Sequence, residues 1–143
     1  MANEKTPKQT VRQFLKTMAS GAPGDILRLV TPRFHGTEGA QAATGPESIE
    51  GYAQLYRSQI EGWAFEIDQM IADGAWVAVR GNATGKVKDS LFGITAPGRA
   101  IRMTYQGMYK VVRGKIAEAH VTADTAAILA QLRGEPAMKR IPK

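Results

Sequence analysis

Few side chains in this sequence can carry out acid, base or nucleophilic chemistry. The chain contains two His residues, His35 and His120, and no Cys. Without Cys, disulfides, thiolate zinc sites and thiol nucleophiles are excluded. The two His residues lie far apart, and neither an HxH nor an HxxxH spacing accompanies them, so we expect no metal site.

Sequence motifs for nucleotides and for hydrolysis are also missing. No GxGxxG follows a predicted strand, and there is no GxxxxGK[ST] loop, so we expect no nucleotide cofactor. No GxSxG elbow marks a serine nucleophile. Any catalysis has to come from acids, bases and hydroxyls that the fold brings together.

The length of 143 residues predicts one domain, which we assign to residues 1–133, followed by a basic, flexible tail at 134–143. The net charge of +6 is concentrated in residues 1–16 and 133–143, whereas the charge between them is balanced. This distribution does not favour nucleic acid as a partner. The polar start and the lack of a long apolar run indicate a cytoplasmic protein with no membrane segment.

The apolar residues follow a helical period in the first part of the chain. Helices are predicted from Pro7 to Gly21, from Asp25 to Pro32, and from Pro46 to Gly62. Residues 34–45 follow neither the helical period nor the two-residue period of a strand. We therefore predict a long loop there, and loops of this length are typical of functional segments.

After residue 62 the apolar residues follow the two-residue period that is typical of strands. Strands are predicted at 64–72, 76–84, 99–112 and 116–123, with Phe65, Ile67 and Ile71 on one face of the first. A short helix at 126–132 begins at a cap, Asp124 or Thr125. This order predicts an α+β fold with helices on one face of a bent antiparallel sheet and a pocket at one end.

The second half of the chain contains three segments in a characteristic order: WVAVRGNATG, LFGITAPGRAI and MYKVVRGKIAEAHVTADTAAILAQL. In this order they resemble the SnoaL-like polyketide cyclase family of the nuclear transport factor 2-like fold. The resemblance implies a cone-shaped barrel in which N-terminal helices pack on a strongly curved, mainly antiparallel sheet of four to six strands. It also implies a homodimer formed through the sheet, a deep apolar cavity and no cofactor.

The resemblance implies cyclisation, or a related rearrangement, of an apolar polyketide-like molecule in natural-product biosynthesis. Isomerases, epoxide hydrolases and ligand-binding dimers on the same fold are the alternatives. The family places an acidic residue or His, and a Trp-Asp pair, where this chain has Gly107, His120 and Val121. Neither Gly nor Val can transfer the protons that an aldol cyclisation requires.

Three explanations for this replacement stay open. The first is that the proton-transfer group has moved to His35, His120 or Asp124. Each of these residues also has a structural alternative, as an exposed loop residue, a packed ring and a helix cap respectively. The second is that hydroxyl groups take part, and the third is that the cavity folds the substrate by shape alone.

For the second explanation, strand alternation puts Tyr105 and Tyr109 on the inward face if Gly107 faces inward. Tyr105 is then a catalytic candidate. The substrate-binding candidates, whose aromatic members could instead be ordinary core, are Tyr52, Tyr56, Trp63, Trp76, Asn82, Gly107 and Tyr109. Asn82 shares its strand face with Arg80, and that face could hold oxyanion donors or be solvated or interfacial.

Overall fold

The computed structural model describes residues 5–135, so most of the predicted basic tail, from 136 onward, lies outside the described residues. The first helix, α1 (Pro7–Ser20), begins where the sequence predicts it. The Thr6 side chain accepts a hydrogen bond from the Gln9 backbone N–H at 3.1 Å, and the Gln9 side chain accepts one from the Thr6 N–H at 2.9 Å. This capping box fixes the start of the helix.

Residues 25–45 fold differently from the prediction. Helical structure is limited to one 3-10 turn, Ile26–Arg28, and the predicted loop is a hairpin of β1 (Val30–Glu38) and β2 (Gln41–Thr44). β1 also pairs in parallel with the last strand, Lys115–Ala123. Because this pairing joins distant parts of the chain, local periodicity could not reveal it.

The second helix, α2 (Pro46–Gln59), ends before the predicted Gly62 because a strand begins at Ile60. The other elements agree with the prediction in type, and a small hairpin is added before the long strand. They are β3 (Ile60–Asp73), β4 (Trp76–Val87), β5 (Ser90–Leu91), β6 (Ile94–Thr95), β7 (Ala100–Val112), β8 (Lys115–Ala123) and α3 (Thr125–Leu132).

Six strands form one sheet in the order β2-β1-β8-β7-β4-β3. Every neighbouring pair is antiparallel except β1 and β8. The predicted α+β class is therefore confirmed, with six strands in the main sheet. Within residues 5–135 the sheet stays open between β2 and β3 and does not close into a barrel. None of the described helices is long and apolar enough to cross a membrane.

Strand alternation decides which side chains face the helices. In β7, Tyr105, Gly107 and Tyr109 are all buried, while the residues between and beside them are exposed or half-buried, so the predicted shared face is confirmed. In β3 the register shifts after Ile67, and this bulge reverses the alternation. Ile71, predicted to share a face with Phe65, is consequently 57% exposed on the outer face.

A buried carboxylate on α2 joins this helix to the turn that precedes β1. Glu50 Oε1 accepts hydrogen bonds from the Gly24 backbone N–H at 2.7 Å and from the Gln54 side chain at 3.0 Å. Burial raises the pKa of Glu50, but these hydrogen bonds and the positive charge of Arg57 lower the pKa by more, so it lies below its usual value.

Candidate active site

A cavity of about 140 Å³ lies between the helices and the inner face of the sheet. Its inner end is aromatic: Phe14, Phe34, Tyr105 and Tyr109 line it, and each is at most 2% exposed. Its outer end lies at the β1–β2 hairpin, where Gln41 and Ala42 are exposed. The cavity is therefore a largely apolar pocket that opens at one end of the sheet, as the sequence predicted.

One carboxylate enters this apolar space. Glu38 is the last residue of β1, and it shares the inward face with Phe34 and Gly36. Among the described residues that line the cavity, Glu38 is the only acid, and no Lys, Arg or His joins it. Burial raises the pKa of Glu38 because the apolar surroundings disfavour its charged form.

Sequence analysis missed Glu38 because residues 34–45 were assigned to a loop. Its signal is the two-residue spacing of Phe34, Gly36 and Glu38, which places the carboxylate on the buried face once the segment is read as a strand.

Glu38 lies in the same row of the sheet as Gly107 and Val121, the two positions where the resemblance implies proton-transfer groups. Glu38 pairs with Val121 on β8, and Val121 pairs with Gly107 on β7. Neighbouring strands are about 4.8 Å apart, so the backbone of Glu38 stands roughly 5 Å from that of Val121 and roughly 10 Å from that of Gly107. An acid is thus present in the row, displaced toward the edge of the sheet.

The sequence suggested that Gly107 leaves space for a ligand. In the structure this space is filled, because the Tyr109 ring lies over Gly107. A Cβ atom at position 107 would stand 2.7 Å from the Tyr109 hydroxyl oxygen. The Tyr109 ring in turn meets Phe14 edge-on, with ring centroids 6.0 Å apart. Gly107 therefore makes room for the inner wall of the cavity, and it does not itself line that wall.

Two further tyrosines and a tryptophan line the side wall. The hydroxyl groups of Tyr52 and Tyr56 are hydrogen-bonded at 3.1 Å, and the Tyr56 ring stacks on Trp63 with centroids 5.6 Å apart. Burial, and then the negative charge of Glu38, raise the pKa of Tyr56. The Tyr56 hydroxyl therefore stays protonated and lies within the electrostatic influence of the carboxylate.

Tyr105 also lines the cavity, and its hydroxyl group is fully buried. Its oxygen is buried and has no hydrogen-bond partner among the described residues. Burial, and then the negative charge of Asp68, raise the pKa of Tyr105 to about 12, so this group is a donor at neutral pH. Burial likewise raises the pKa of Tyr109.

The other predicted catalytic residues lie outside the cavity. His35 and His120 are on the outer face of the sheet because their neighbours Gly36, Ala119 and Val121 line the cavity. Asp124 caps α3, accepting a hydrogen bond from the Ala127 N–H at 3.1 Å. Asp124 is a helix cap in the structure, and neither His reaches the cavity.

The two His side chains meet at one carboxylate on the outer face. Glu118 Oε1 lies 3.2 Å from His35 Nε2 and 3.1 Å from His120 Nε2. The hydrogen bond from His120 lowers the pKa of Glu118, burial raises it, and the positive charges of His35 and Lys110 lower it further, so the net shift is downward. Within residues 5–135, no group of three or more His, Asp or Glu side chains is arranged to hold a metal ion.

Trp76 and Asn82, predicted to bind substrate, also lie on the outer face, because the inward positions of β4 are Val77, Gly81 and Ala83. Trp76 stacks on His120 with ring centroids 6.4 Å apart.

The polar groups of Asn82 are already paired. Its side chain donates to Asp68 at 3.2 Å and accepts from Thr104 at 2.9 Å, while Arg80 on the same face is exposed. The structure therefore does not place an oxyanion donor of this strand in the cavity.

Solved structures with this fold have diverse roles. IdmH from Streptomyces antibioticus, described as a candidate polyketide cyclase, is 23% identical, with a TM-score of 0.79 over 90% of this chain and 99% of its own. A hypothetical protein with a ketosteroid isomerase-like fold from Catenulispora acidiphila is 18% identical, with a TM-score of 0.75 over 95% and 100%. An LEH-like epoxide hydrolase of M. tuberculosis is 14% identical, with a TM-score of 0.70 over 90% of each chain.

At these identities the similarity establishes the fold alone. No curated protein matches the chain significantly. The sequence profile described as SnoaL-like polyketide cyclase matches residues 8–132, which include both the helices and the strands that enclose the cavity. The chain therefore belongs to the SnoaL-like polyketide cyclase family.

Proposed function

We propose that this protein is a cofactor-independent enzyme that closes a ring in an apolar, polyketide-like small molecule, with Glu38 as its acid and base. The observation that carries the proposal is a single half-buried carboxylate, with a raised pKa, in an otherwise apolar cavity. Perturbed carboxylates in such cavities are typical of proton-transfer catalysts.

The proposed reaction needs no external reagent. The Glu38 carboxylate removes a proton from a carbon next to a carbonyl, and the electron pair moves onto the carbonyl oxygen to form an enolate. The enolate carbon attacks a second carbonyl of the same molecule, which forms one carbon–carbon bond and an alkoxide. The alkoxide takes the proton back from Glu38, so atoms and charge balance. The apolar walls exclude water while the enolate exists.

Isomerisation is the second candidate, because the first step is the same. If the protonated Glu38 returns its proton to a different carbon of the enolate, a double bond moves and no ring forms. Both products have the same mass as the substrate, so mass spectrometry does not separate the two reactions. NMR of the product distinguishes a new ring from a shifted double bond. A non-catalytic binding protein would return the ligand unchanged.

The test is Glu38→Gln, with Glu61→Gln as a control, because Glu61 is an exposed carboxylate outside the cavity lining. Candidate ketones are screened by product NMR, and the turnover of an accepted one is measured against pH. We expect Glu38→Gln to lower kcat by about 10²- to 10⁴-fold and the control to change it little.

The wild-type rate should fall as the pH drops through the raised pKa of Glu38, because the base must be deprotonated. If Glu38→Gln keeps its rate within threefold, or if the profile is flat, the carboxylate is not the base. Closure by shape alone would then be the better explanation.

We also propose that the chain forms a homodimer through the outer face of the sheet. This face exposes apolar side chains: Met108 on the central strand β7 is 50% exposed, and Ile71 on the edge strand β3 is 57% exposed. Sizing by light scattering should give twice the chain mass, and Met108→Lys should shift the equilibrium toward monomer. A monomer across the micromolar range would reject the dimer without affecting the proposed chemistry.

A further inference from the structure

The cavity carries one negative charge that no neighbouring side chain balances. Glu38 is the one acid among the described lining residues, and no Lys, Arg or His joins it there. Within residues 5–135 its carboxylate also forms no ion pair with a basic side chain. A half-buried carboxylate in apolar surroundings is stabilised by any cation that comes beside it. A cationic ligand would supply the charge that the lining lacks.

The walls around this carboxylate are aromatic. Eight of the described lining residues are Phe, Tyr or Trp. Three of them form one packed group on the side wall, in which the ring centroids of Tyr52 and Tyr56 are 4.9 Å apart and those of Tyr56 and Trp63 are 5.6 Å apart. Burial, and then the negative charge of Glu38, raise the pKa of Tyr56, so this group lies within electrostatic range of the carboxylate.

Aromatic rings and a carboxylate attract the same kind of ligand. The face of an aromatic ring is electrically negative and attracts a cation whose centre lies within about 6 Å of the ring centroid. Methylated ammonium ions suit such walls best, because their methyl groups contact the rings while the positive charge is little hindered by bound water. An anion would instead be desolvated beside the negative charge of Glu38, with no basic side chain in the described lining to offset it.

The volume limits the size of this ligand. The cavity of about 140 Å³ is close to the roughly 150 Å³ of an engineered apolar cavity that holds one benzene molecule. A trimethylammonium group is of similar size to benzene. A substituent on it would extend toward the mouth, where Gln41 and Ala42 are exposed.

We propose that the cavity is a binding site for small tertiary and quaternary ammonium ions, with Glu38 as the counter-ion and the rings of Tyr52, Tyr56 and Trp63 around the methyl groups. This binding function goes beyond the proposed ring closure and does not depend on it. A bound ammonium ion pairs with the carboxylate that the proposed reaction uses as its base. Such ions should therefore compete with the substrate.

The test uses three probes of nearly one shape that differ in charge. Choline is the cation, 3,3-dimethylbutan-1-ol replaces its nitrogen with carbon and is neutral, and 3,3-dimethylbutanoate is the anion. Binding is measured by calorimetry at pH 8 to the wild type, to Glu38→Gln and to the control Glu61→Gln, which removes an exposed carboxylate outside the cavity lining. In a Trp76→Phe background, Trp63 at the cavity wall is the sole Trp, and its fluorescence shows whether a probe enters.

We expect the wild type to bind choline at least about tenfold more tightly than the neutral alcohol, and the anion to bind more weakly than either. Glu38→Gln should lower the affinity for choline about tenfold and change that for the alcohol less than about twofold, whereas Glu61→Gln should alter neither. Tyr52→Leu, which replaces a ring with an apolar chain, should weaken choline about threefold and the alcohol less than about twofold.

The pH dependence on the wild type gives a reading that needs no variant to fold. As the pH falls through the raised pKa of Glu38, the carboxylate loses its charge, so the affinity for choline should fall while that for the alcohol stays constant.

Equal affinity for choline and the alcohol, or no binding of choline at millimolar concentration, overturns the proposal. An unchanged preference for choline in Glu38→Gln, or in acid on the wild type, overturns the role of Glu38 as counter-ion. These outcomes are distinct from a failure of the proposed ring closure. In that case Glu38→Gln would retain turnover although its preference for choline was lost.

Discussion

A single methyl group added at Gly107 tests whether the inner wall of the cavity is rigidly packed. The Cβ atom of Gly107→Ala would stand 2.7 Å from the Tyr109 hydroxyl oxygen, 2.8 Å from Cε2 and 2.9 Å from Cζ. The Tyr109 ring is 1% exposed and packs against Phe14, so it cannot swing aside freely. The added methyl group should therefore overpack the core.

Overpacking of this kind costs about 1–3 kcal/mol. Ala recovers about 0.5–1 kcal/mol of this, because Gly loses more backbone entropy on folding. The net loss in the free energy of unfolding should lie between about 0 and 2.5 kcal/mol, with a central value of about 1 kcal/mol, which lowers Tm by about 3–5 °C for a chain of this length.

Thermal and urea unfolding measure this loss, and Gly51→Ala is the matched control. Gly51 lies in α2 with no atom within 4 Å of its added Cβ, so the same change should stabilise the helix by up to about 1 kcal/mol. In a Tyr109→Leu background, which removes the ring, the cost of Gly107→Ala should largely disappear. If Gly107→Ala is as stable as the wild type, or if its cost persists beside Leu, the packing explanation is refuted.

Substitutions at three other residues test contacts outside the cavity. Asp124→Ala should lower the unfolding free energy by about 1 kcal/mol and Asp124→Asn should not, with unchanged turnover in both, because Asp124 is a cap. Glu50→Gln should lower the free energy of unfolding, measured in urea at pH 7, by about 1–3 kcal/mol. This difference should shrink as the pH falls through the lowered pKa of Glu50, because the wild-type carboxylate is then protonated as well. Glu118→Gln should cost less than about 1 kcal/mol at pH 6, since its ion pairs are partly exposed, and should match the wild type in acid, where Glu118 is protonated.

Local signals were sufficient for most of the elements. The Thr6 capping box fixed the start of α1, and alternation in β7 placed Tyr105, Gly107 and Tyr109 on the buried face. These predictions succeeded because each depends on residues within a few positions of one another. The position of Tyr56 at the cavity wall also follows from its predicted helix, whereas Trp63 falls between the predicted helix and the predicted strand, and the stacking of the two rings was not predicted.

The errors between residues 25 and 45 share one physical cause, which is pairing between distant segments. β1 contains Pro32 and Gly36, which read as signals for a loop, yet the strand is held by parallel pairing with β8. A Cβ atom at Gly36 would overlap the Ala119 carbonyl, so the glycine permits a close approach of the two strands. The prediction that missed β1 also missed Glu38, because a carboxylate on a loop has no assigned face.

The row formed by Glu38, Val121 and Gly107 bears on the proposed proton transfer, because Glu38 lies in the same row as the two positions where the resemblance implied proton-transfer groups. Inward positions in one row of adjacent strands point into the same cavity from origins about 5 Å apart, so a carboxylate can change strand while the fold stays intact. The change is not neutral for the substrate. With Tyr109 closing the wall over Gly107, the proposed chemistry would place Glu38 and the reacting carbon at the mouth of the cavity. If a protein of this fold held its acid at the inner end of the cavity, the same reaction would require the substrate to bind in the opposite orientation. The proposed chemistry therefore predicts that substrate orientation, more than the identity of the acid, distinguishes two such proteins.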